Sequence, residues 1–376
     1  MKTIPAFKKI EKKEMIDCRV TSLRNIFHVH GVSVNSAQLF LMLDVIDFRF
    51  GTLWVKENSK LPLWVSGASC DKMEEHALKN LKAPWKQLEI GPDAKIKDFG
   101  KYVKERRPIL YSVDSSYVLN KQRAKQIMED TVKMSNLSLV TVIGYDKRRK
   151  LLQLDLKEKD FVEVSLEMFQ KARYSRCFPE SANGRCYEVN MDAEYLEWFW
   201  TQRNHLVVEG ILKTCRKMLD SRSVKRAGTD ETEYAEGLDG MLFLVRTMEE
   251  LRDAVSGLDV EDAIASKVLT LEVSTLRNML LPGSDTCYRE EFGSSLCFFA
   301  AECQNAEVQK LGERFVELGA AWRGLIRSLS AVKYHMEDKV AYLESLIEKV
   351  KYLYEQEKQG YLLLESAMLT IRERWL

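Results

Sequence analysis

The sequence lacks several features that would place it in a common class of protein. Its formal net charge is only +1, so no global field draws it to nucleic acid or to an anionic membrane. No segment approaches the roughly 18 uninterrupted apolar residues of a membrane span, and the N-terminal residues lack the apolar run of a secretory signal. The eight cysteines form no CxxC pair, which argues against a zinc knuckle and a disulfide scaffold. We expect a reduced, cytoplasmic protein whose partners are neither nucleic acid nor membrane.

Motifs for the common cofactors are also absent from the sequence. It contains no P-loop, no glycine motif of a Rossmann fold and no cluster of metal ligands. The composition, 45% hydrophobic and 30% charged, is that of an ordinary globular protein with a sizeable core. We therefore expect no metal and no cofactor bound to the chain itself.

The length and the pattern of the chain predict two domains of different kinds. At 376 residues the chain exceeds a typical single domain. Before about residue 187, short apolar runs alternate with helical patterns, whereas after residue 190 almost every segment has a helical period. We predict an α+β domain with an antiparallel sheet over residues 1–187 and an all-helical domain over residues 188–376.

Strands are the clearest elements of the first domain. A buried strand is predicted at residues 109–113, a hairpin from residues 139–145 and 151–155, and a third strand at residues 161–164. The predicted helices cover residues 18–30, 35–44, 71–81, 93–106, 120–134 and 166–173.

The last part of the chain has the most regular pattern. Apolar residues recur in alternating steps of four and three from Met336 to Trp375, and Glu357 alone breaks the seam. The pattern predicts a helix of about 40 residues and about 60 Å, unless Gly360 bends it into a hairpin. Two interpretations stay open: the seam packs on the helical domain, or it joins two copies of the chain as a homodimer.

The start of the first predicted helix is a candidate for nucleophilic chemistry. Asp17 is a good N-cap, which puts Cys18 in the first turn, where unpaired amides and the helix dipole favour a thiolate. A cysteine at a helix N-terminus, served by a histidine on a distant strand, is the arrangement of papain-type enzymes. A cysteine beside an N-cap is by itself more often a buried structural residue.

The segments that follow Cys18 resemble a known family in their order along the chain. The matching segments are Cys18, TSLRNI at residues 21–26, Gly31, LF at 39–40, FRFGTLW at 48–54, VTVIGYD at 140–146, LD at 154–155, LEMF at 166–169, Gly283, CYR at 287–289, Phe292, Phe299 and Trp322. Taken together, they resemble the butirosin biosynthesis protein H family. That family has a papain-like N-terminal domain followed by a helical domain, and the same architecture is therefore expected here.

The resemblance implies transfer of an acyl group from a carrier-protein thioester to an amine in specialised-metabolite biosynthesis. By position, Cys18 matches the family's nucleophile and Asp155 matches the acid that orients its histidine, whereas Ser138 occupies the position of the histidine itself. Tyr288 and Arg289 match an aromatic-arginine pair and are our candidates for substrate-binding residues. The implied partners are an acyl carrier protein, with its phosphopantetheine group, and a small-molecule amine.

The missing histidine leaves the activity open, because a serine cannot act as a base near neutral pH. His28 and His30 lie about three turns along the Cys18 helix, roughly 15 Å from its start, and His76, His205 and His335 are more typical of surface or packing residues. Three functions remain possible. The chain is an acyltransferase or cyclase, a non-catalytic relative that binds a carrier protein, an intermediate or an enzyme, or a thioester hydrolase.

One charged segment stands apart from these motifs. Residues 147–150 read KRRK between the two strands of the predicted hairpin. Such a run is usually a solvated turn. The alternative is a contact with an acidic carrier protein or with the phosphate of phosphopantetheine.

Overall fold

The computed structural model describes residues 2–4, 16–56, 59–68, 72–119, 137–156, 161–175, 181–220, 225–226, 232–256, 286–329 and 338–375. Helices are mixed with strands that all pair antiparallel, so the predicted α+β class is confirmed. None of the described helices is both long and apolar enough to cross a membrane.

The elements follow one another in this order: β1 (Lys2–Thr3), α1 (Cys18–Val29), α2 (Ser36–Met42), β2 (Ile46–Lys56), β3 (Ser59–Ala68), α3 (Met73–Asn80), β4 (Trp85–Gln87), α4 (Ile96–Lys104), β5 (Ile109–Asp114), α5 (Ser116–Leu119), β6 (Leu137–Asp146), β7 (Leu151–Asp155), β8 (Val162–Ser165), α6 (Leu166–Arg173), β9 (Cys186–Val189), α7 (Ala193–Leu219), β10 (Lys225–Arg226), β11 (Thr232–Glu236), α8 (Gly237–Ser256), α9 (Arg289–Cys303), α10 (Ala306–Leu329) and α11 (Lys339–Trp375). The predicted strands correspond to β5–β8 and the predicted helices to α1–α4 and α6. The helix predicted at residues 120–134 falls outside the described residues.

The chain forms two compact units, Met1–Leu43 with Cys70–Gly210 and Asp44–Ser69 with Ile211–Leu376. This division differs from a single boundary at residue 187. Residues 44–69 belong to the second unit because β2 pairs with β11 over five residues. The first part of α7 belongs to the first unit, where Phe199 packs on Phe27 with ring centroids 4.7 Å apart and the Tyr195 hydroxyl donates to the Leu81 carbonyl.

The first unit is built on a sheet with the strand order β4-β9-β5-β6-β7-β8, and β1 adds to β6. Its register sorts the side chains of β6 onto two faces, because residues directly opposite each other share a face. Thr141 lies opposite Asp155, and α1 covers this face because Asn25 donates a hydrogen bond to Asp155. Val140 lies opposite Tyr111, and both belong to the apolar core on the other face.

The second unit combines a four-stranded sheet, β10-β11-β2-β3, with helices α8–α11. The prediction of an all-helical domain over residues 188–376 is therefore wrong, because β10 and β11 lie in that range and add to β2, a strand from the earlier part of the chain. Aromatic side chains of β2 pack on these helices: Phe48 stacks on Trp322 of α10 at 5.3 Å between ring centroids, and Phe50 meets Phe243 of α8 edge-on at 5.5 Å. Buried aromatic contacts of this kind contribute beyond the area they bury. They tie the hairpin of β2 and β3 to the helical part of the unit.

The C-terminal seam is used inside the second unit. Helix α11 has 37 residues, about 55 Å, and it continues through Gly360, where a Cβ atom would meet the ring of Phe315 at 3.2 Å. It packs on α8 and α10. The buried seam residues are Leu343, Ile347, Val350, Tyr361, Leu364, Met368 and Ile371. The structure therefore supports the interpretation in which the seam packs on other helices of the same chain. A homodimer through these residues would have to displace α8 and α10.

Candidate functional site

Cys18 is the first residue of α1 and is partly exposed. The helix begins at a fixed point, because Asp17 Oδ1 accepts a hydrogen bond from the Arg19 backbone N–H at 2.8 Å and another from Arg19 Nε at 2.7 Å. Asp17 and Arg19 are both buried. A cap that is also a buried ion pair holds the first turn, and with it the Cys18 backbone, in one conformation.

The inner face of α1 is anchored to the sheet one and two turns beyond Cys18. Ser22 Oγ donates to the Leu139 carbonyl at 3.0 Å, and Asn25 Nδ2 donates to Asp155 Oδ2. Positions 18, 22 and 25 lie on one side of a helix. From Ser22 to Asn25 the helix advances from Leu139 to the level of Thr141, the residue opposite Asp155, so α1 runs in the direction of β6. Since Cys18 precedes Ser22 by about 6 Å along the helix, we infer that it lies level with the start of β6, near Leu137.

The structure brings Asp155, but not Ser138, to the face covered by α1. Asp155 is 1% exposed and lies opposite Thr141. Ser138 is three residues before Thr141 in an unbroken register with β5. Since side chains alternate along a strand, Ser138 points to the opposite face from Asp155. The position expected for a base and the acid expected to orient it are therefore on different sides of the sheet.

Two of the four described histidines, His28 and His30, lie at the end of α1 that is far from Cys18. His28 is in the last turn of α1 and His30 is its C-cap, where burial lowers the pKa of His30 and its Nε2 is buried with no hydrogen-bond partner in the described part of the chain. His76 is exposed on α3, and His205 is half-buried on α7. His335 lies outside the described residues.

Asp114 is a candidate that the sequence did not single out. It lies opposite Leu137, which is level with Cys18. Leu110 lies opposite Thr141 and therefore on the α1 face, and Asp114, an even number of residues further along β5, is on the same face. The carboxylate is buried and accepts hydrogen bonds from the Ser116 backbone N–H at 3.0 Å, Ser116 Oγ at 2.5 Å and Ser175 Oγ at 2.8 Å. The available signal was an acidic residue ending a buried strand.

A buried polar layer separates α1 from the sheet. Besides Asn25 and Asp155, it contains the hydroxyls of Ser112 and Thr141, which are fully buried and have no hydrogen-bond partner among the described residues. An unsatisfied buried hydroxyl costs about 1–3 kcal/mol, so each of these two hydroxyls calls for a partner on this face.

Arg289 of the second unit is a buried structural residue rather than a pocket residue. All five of its N–H donors have acceptors inside the protein: Nε and Nη2 reach Glu357 at 2.9 and 2.7 Å, Nη1 reaches the Asp47 and Cys287 carbonyls at 2.9 and 2.8 Å, and Nη2 also approaches Met218 Sδ at 4.0 Å. Burial lowers the pKa of Arg289, but Glu357 outweighs it and the pKa is raised.

The other expected substrate-binding residue is part of the same structure. Tyr288 is buried, and it and Cys287 both have positive φ angles, 62° and 49°. Two bulky residues in the left-handed region are costly, and the bond from Arg289 Nη1 to the Cys287 carbonyl holds this turn at the start of α9. Trp322 Nε1 completes the network by donating to Glu357 Oε1 at 2.6 Å.

Comparison with known proteins does not assign a function to the chain. No protein-family model matches the chain, and no curated protein matches it significantly. A function must therefore be inferred from the grouping of Cys18, Asp155 and Asp114 on the α1 face.

Proposed function

We propose that the chain is an acyltransferase-type protein of specialised-metabolite biosynthesis, in which Cys18 takes an acyl group from a carrier-protein thioester and passes it to an amine. The observation that carries the proposal is the setting of Cys18: a partly exposed thiol at the first position of a helix that is fixed at its cap and on its inner face. Amides at a helix N-terminus stabilise a thiolate.

The reaction would consist of two exchanges at one carbonyl carbon. The Cys18 thiolate, whose proton has gone to water, attacks the thioester; the bond from carbon to the carrier sulfur breaks, and the carrier sulfur leaves as a thiolate that takes a proton from water. The amine then attacks the acyl-cysteine, a carbon–nitrogen bond forms, and Cys18 leaves as a thiolate. Asp114 is the carboxylate that we propose receives the proton from the amine, in place of the missing histidine.

A second candidate is a non-catalytic relative that binds a carrier protein or a pathway enzyme. Two observations favour it: the carboxylate of Asp155 is hydrogen-bonded to Asn25, and Ser138 is on the other face of the sheet. In this case Cys18 would keep its place in the fold without forming an acyl-enzyme.

The deciding experiment is intact-protein mass spectrometry after incubation with an acyl thioester of N-acetylcysteamine. Acyltransfer predicts a mass increase of one acyl group that is lost in Cys18→Ala. Cys303→Ala is a matched control and should keep the adduct. Cys303 is also partly exposed, but it is the last residue of α9, and burial raises its pKa to about 11.

Further outcomes separate the remaining functions. Discharge of the adduct by a small primary amine, with formation of the amide, supports acyltransfer. Discharge to the free acid at the same rate with and without amine identifies a thioester hydrolase. A folded protein that carries no adduct on Cys18 rejects both and leaves the non-catalytic relative.

A further inference from the structure

A strongly basic surface lies on the first unit, although the whole chain has a net charge of only +1. Three separate segments contribute exposed cations: Lys2 on β1, the lysines of α4 (Lys97, Lys101 and Lys104), and the turn at residues 147–150 between β6 and β7. We call these eight side chains the basic surface. These side chains are up to about 150 positions apart in the sequence, so the sequence alone does not reveal the basic surface.

Two contacts bring the three segments together. Lys2 lies opposite Tyr145 on β6, so both side chains are on the same face. Gly100 of α4 lies directly against the Tyr145 ring, where a Cβ atom would come within 2.9 Å of ring carbons. Lys101 follows Gly100, and the basic turn begins two residues after Tyr145. The glycine therefore allows α4, β1 and the turn to meet.

The backbone of the basic turn is held in place, and most cations of this surface form no ion pair with a described residue. Asp146 Oδ1 accepts from the backbone N–H groups of Arg148 and Arg149, both at 3.0 Å, which fixes the turn. Among the described residues, Arg149 is the one member that forms an ion pair, with Glu163 at 3.2 Å. Eight cations against the carboxylates of Asp146 and Glu163 leave a local positive potential that a partner can use.

This surface is far from Cys18. Cys18 is level with Leu137, the first residue of β6, and the basic turn follows Asp146, its last residue. Nine steps of a strand amount to about 30 Å. A carrier protein docked on the basic surface would have to deliver its thioester over that distance, so the surface fits a partner other than the acyl donor.

We propose that the basic surface docks an acidic helix of a partner protein. Lys97, Lys101 and Lys104 are spaced i, i+4 and i+7, which forms one row along α4. A helix with carboxylates at the same spacing presents a row of the same length and opposite charge, and this complementarity favours docking in one register. The proposal is independent of whether Cys18 is acylated.

Extended polyanions fit the surface less well. Single-stranded nucleic acid needs exposed aromatic rings on which bases stack, and a stable membrane contact needs apolar side chains that insert. The large apolar side chains exposed in the described part of the chain are Trp200, Phe298, Tyr352, Leu362 and Leu363, and none belongs to the basic surface. The near-zero net charge also provides no long-range attraction to such polymers.

The test measures binding of a fluorescent, alanine-based helical peptide with glutamates at i, i+4 and i+7, by fluorescence anisotropy. A peptide of the same composition, with its glutamates spread around the helix, is the comparison. We call the peptide with glutamates at i, i+4 and i+7 the striped peptide and expect it to bind more tightly than the comparison peptide. K101E/R148E should weaken binding of the striped peptide about tenfold, because two attractions become repulsions. Raising the ionic strength from about 0.1 M to 1 M, which shortens the Debye length from about 10 to 3 Å, should abolish binding.

The control is K310E/K349E, which changes the net charge equally at two exposed lysines of the second unit. It should bind the striped peptide like the unchanged protein. Thermal melting by circular dichroism establishes that both double variants are folded. The proposal is overturned if the two variants bind equally, if the two peptides bind equally, or if duplex DNA or phosphatidylserine vesicles bind through Lys101 and Arg148 while the striped peptide does not.

Discussion

Replacement of Glu357 by glutamine should destabilise the second unit severely, although the two side chains have nearly the same shape. Glu357 is fully buried and binds Arg289 through both carboxylate oxygens. In Glu357→Gln, the amide oxygen can keep the bonds from Arg289 Nε and Trp322 Nε1. The amide NH₂ then faces Arg289 Nη2, donor against donor, and the buried guanidinium loses its counter-charge.

The size of the effect follows from this loss. Removing one partner of a buried ion pair costs about 3–5 kcal/mol. For a unit of 150–250 residues, each kcal/mol corresponds to about 2–4 °C in melting temperature, so the midpoint should fall by about 6–20 °C. Urea denaturation followed by tryptophan fluorescence measures the free energy of unfolding, and Trp322, stacked in the same network, is a built-in reporter.

The double variant R289M/E357L separates loss of the pair from an uncompensated charge. Apolar residues of similar volume in place of a buried pair are often neutral or stabilising, although here the Asp47 and Cys287 carbonyls also lose their donor. We therefore expect the double variant to be more stable than Glu357→Gln by at least about 1 kcal/mol. A loss below about 1 kcal/mol in Glu357→Gln, or a double variant no more stable than the single one, would refute the reasoning.

Three further predictions concern the first unit and the two thiols. At pH 8 a thiol of pKa about 11, such as Cys303, is about 0.1% ionised, whereas a thiol of ordinary pKa is about one quarter ionised. Because the thiolate of higher pKa is the stronger nucleophile, the expected difference shrinks: iodoacetamide should alkylate Cys18 about twentyfold faster than Cys303. The Cys303 rate should rise about tenfold per pH unit until about pH 11, and equal rates for the two cysteines in peptide mapping would contradict this prediction. Asn25→Asp should destabilise the protein increasingly as the pH rises and two carboxylates ionise together, whereas N25D/D155N should restore the hydrogen bond and most of the melting temperature; a double variant as unstable as the single one would argue against the pairing. Gly210→Ala should cost about 1–3 kcal/mol in urea denaturation, because its Cβ would collide with the backbone at the end of α2; an unchanged midpoint would show that α2 can move aside.

The sequence predicts best those parts of the fold that local patterns determine. The apolar run at residues 109–113 and the alternating segments around the basic turn correspond to β5, β6 and β7, because burial of one or both faces of a strand leaves a direct periodic trace. The N-cap at Asp17 and the start of α1 at Cys18 were predictable for the same reason: capping involves neighbouring residues only.

What the sequence could not supply are the pairings between distant residues. Glu357 was visible as an interruption of the seam, but its partner Arg289 is 68 residues away. Ser138 and Asp155 match a catalytic pattern by position, yet the register of β5, β6 and β7 decides that they face opposite ways. Asp114 becomes a candidate only once that register puts it level with Cys18.

The pairing of β2 with β11 has a consequence for how the chain is made. Strand β2 ends at Lys56, and its partner begins at Thr232, so at about 5–20 residues per second the ribosome needs roughly 10–35 s to synthesise the intervening chain. During that interval β2 and β3 have an open edge, and the ring of Phe50 lacks its cover from α8. A chain cut at residue 187 would remain in this state permanently. It should therefore aggregate, whereas co-expression of the missing half should rescue its solubility.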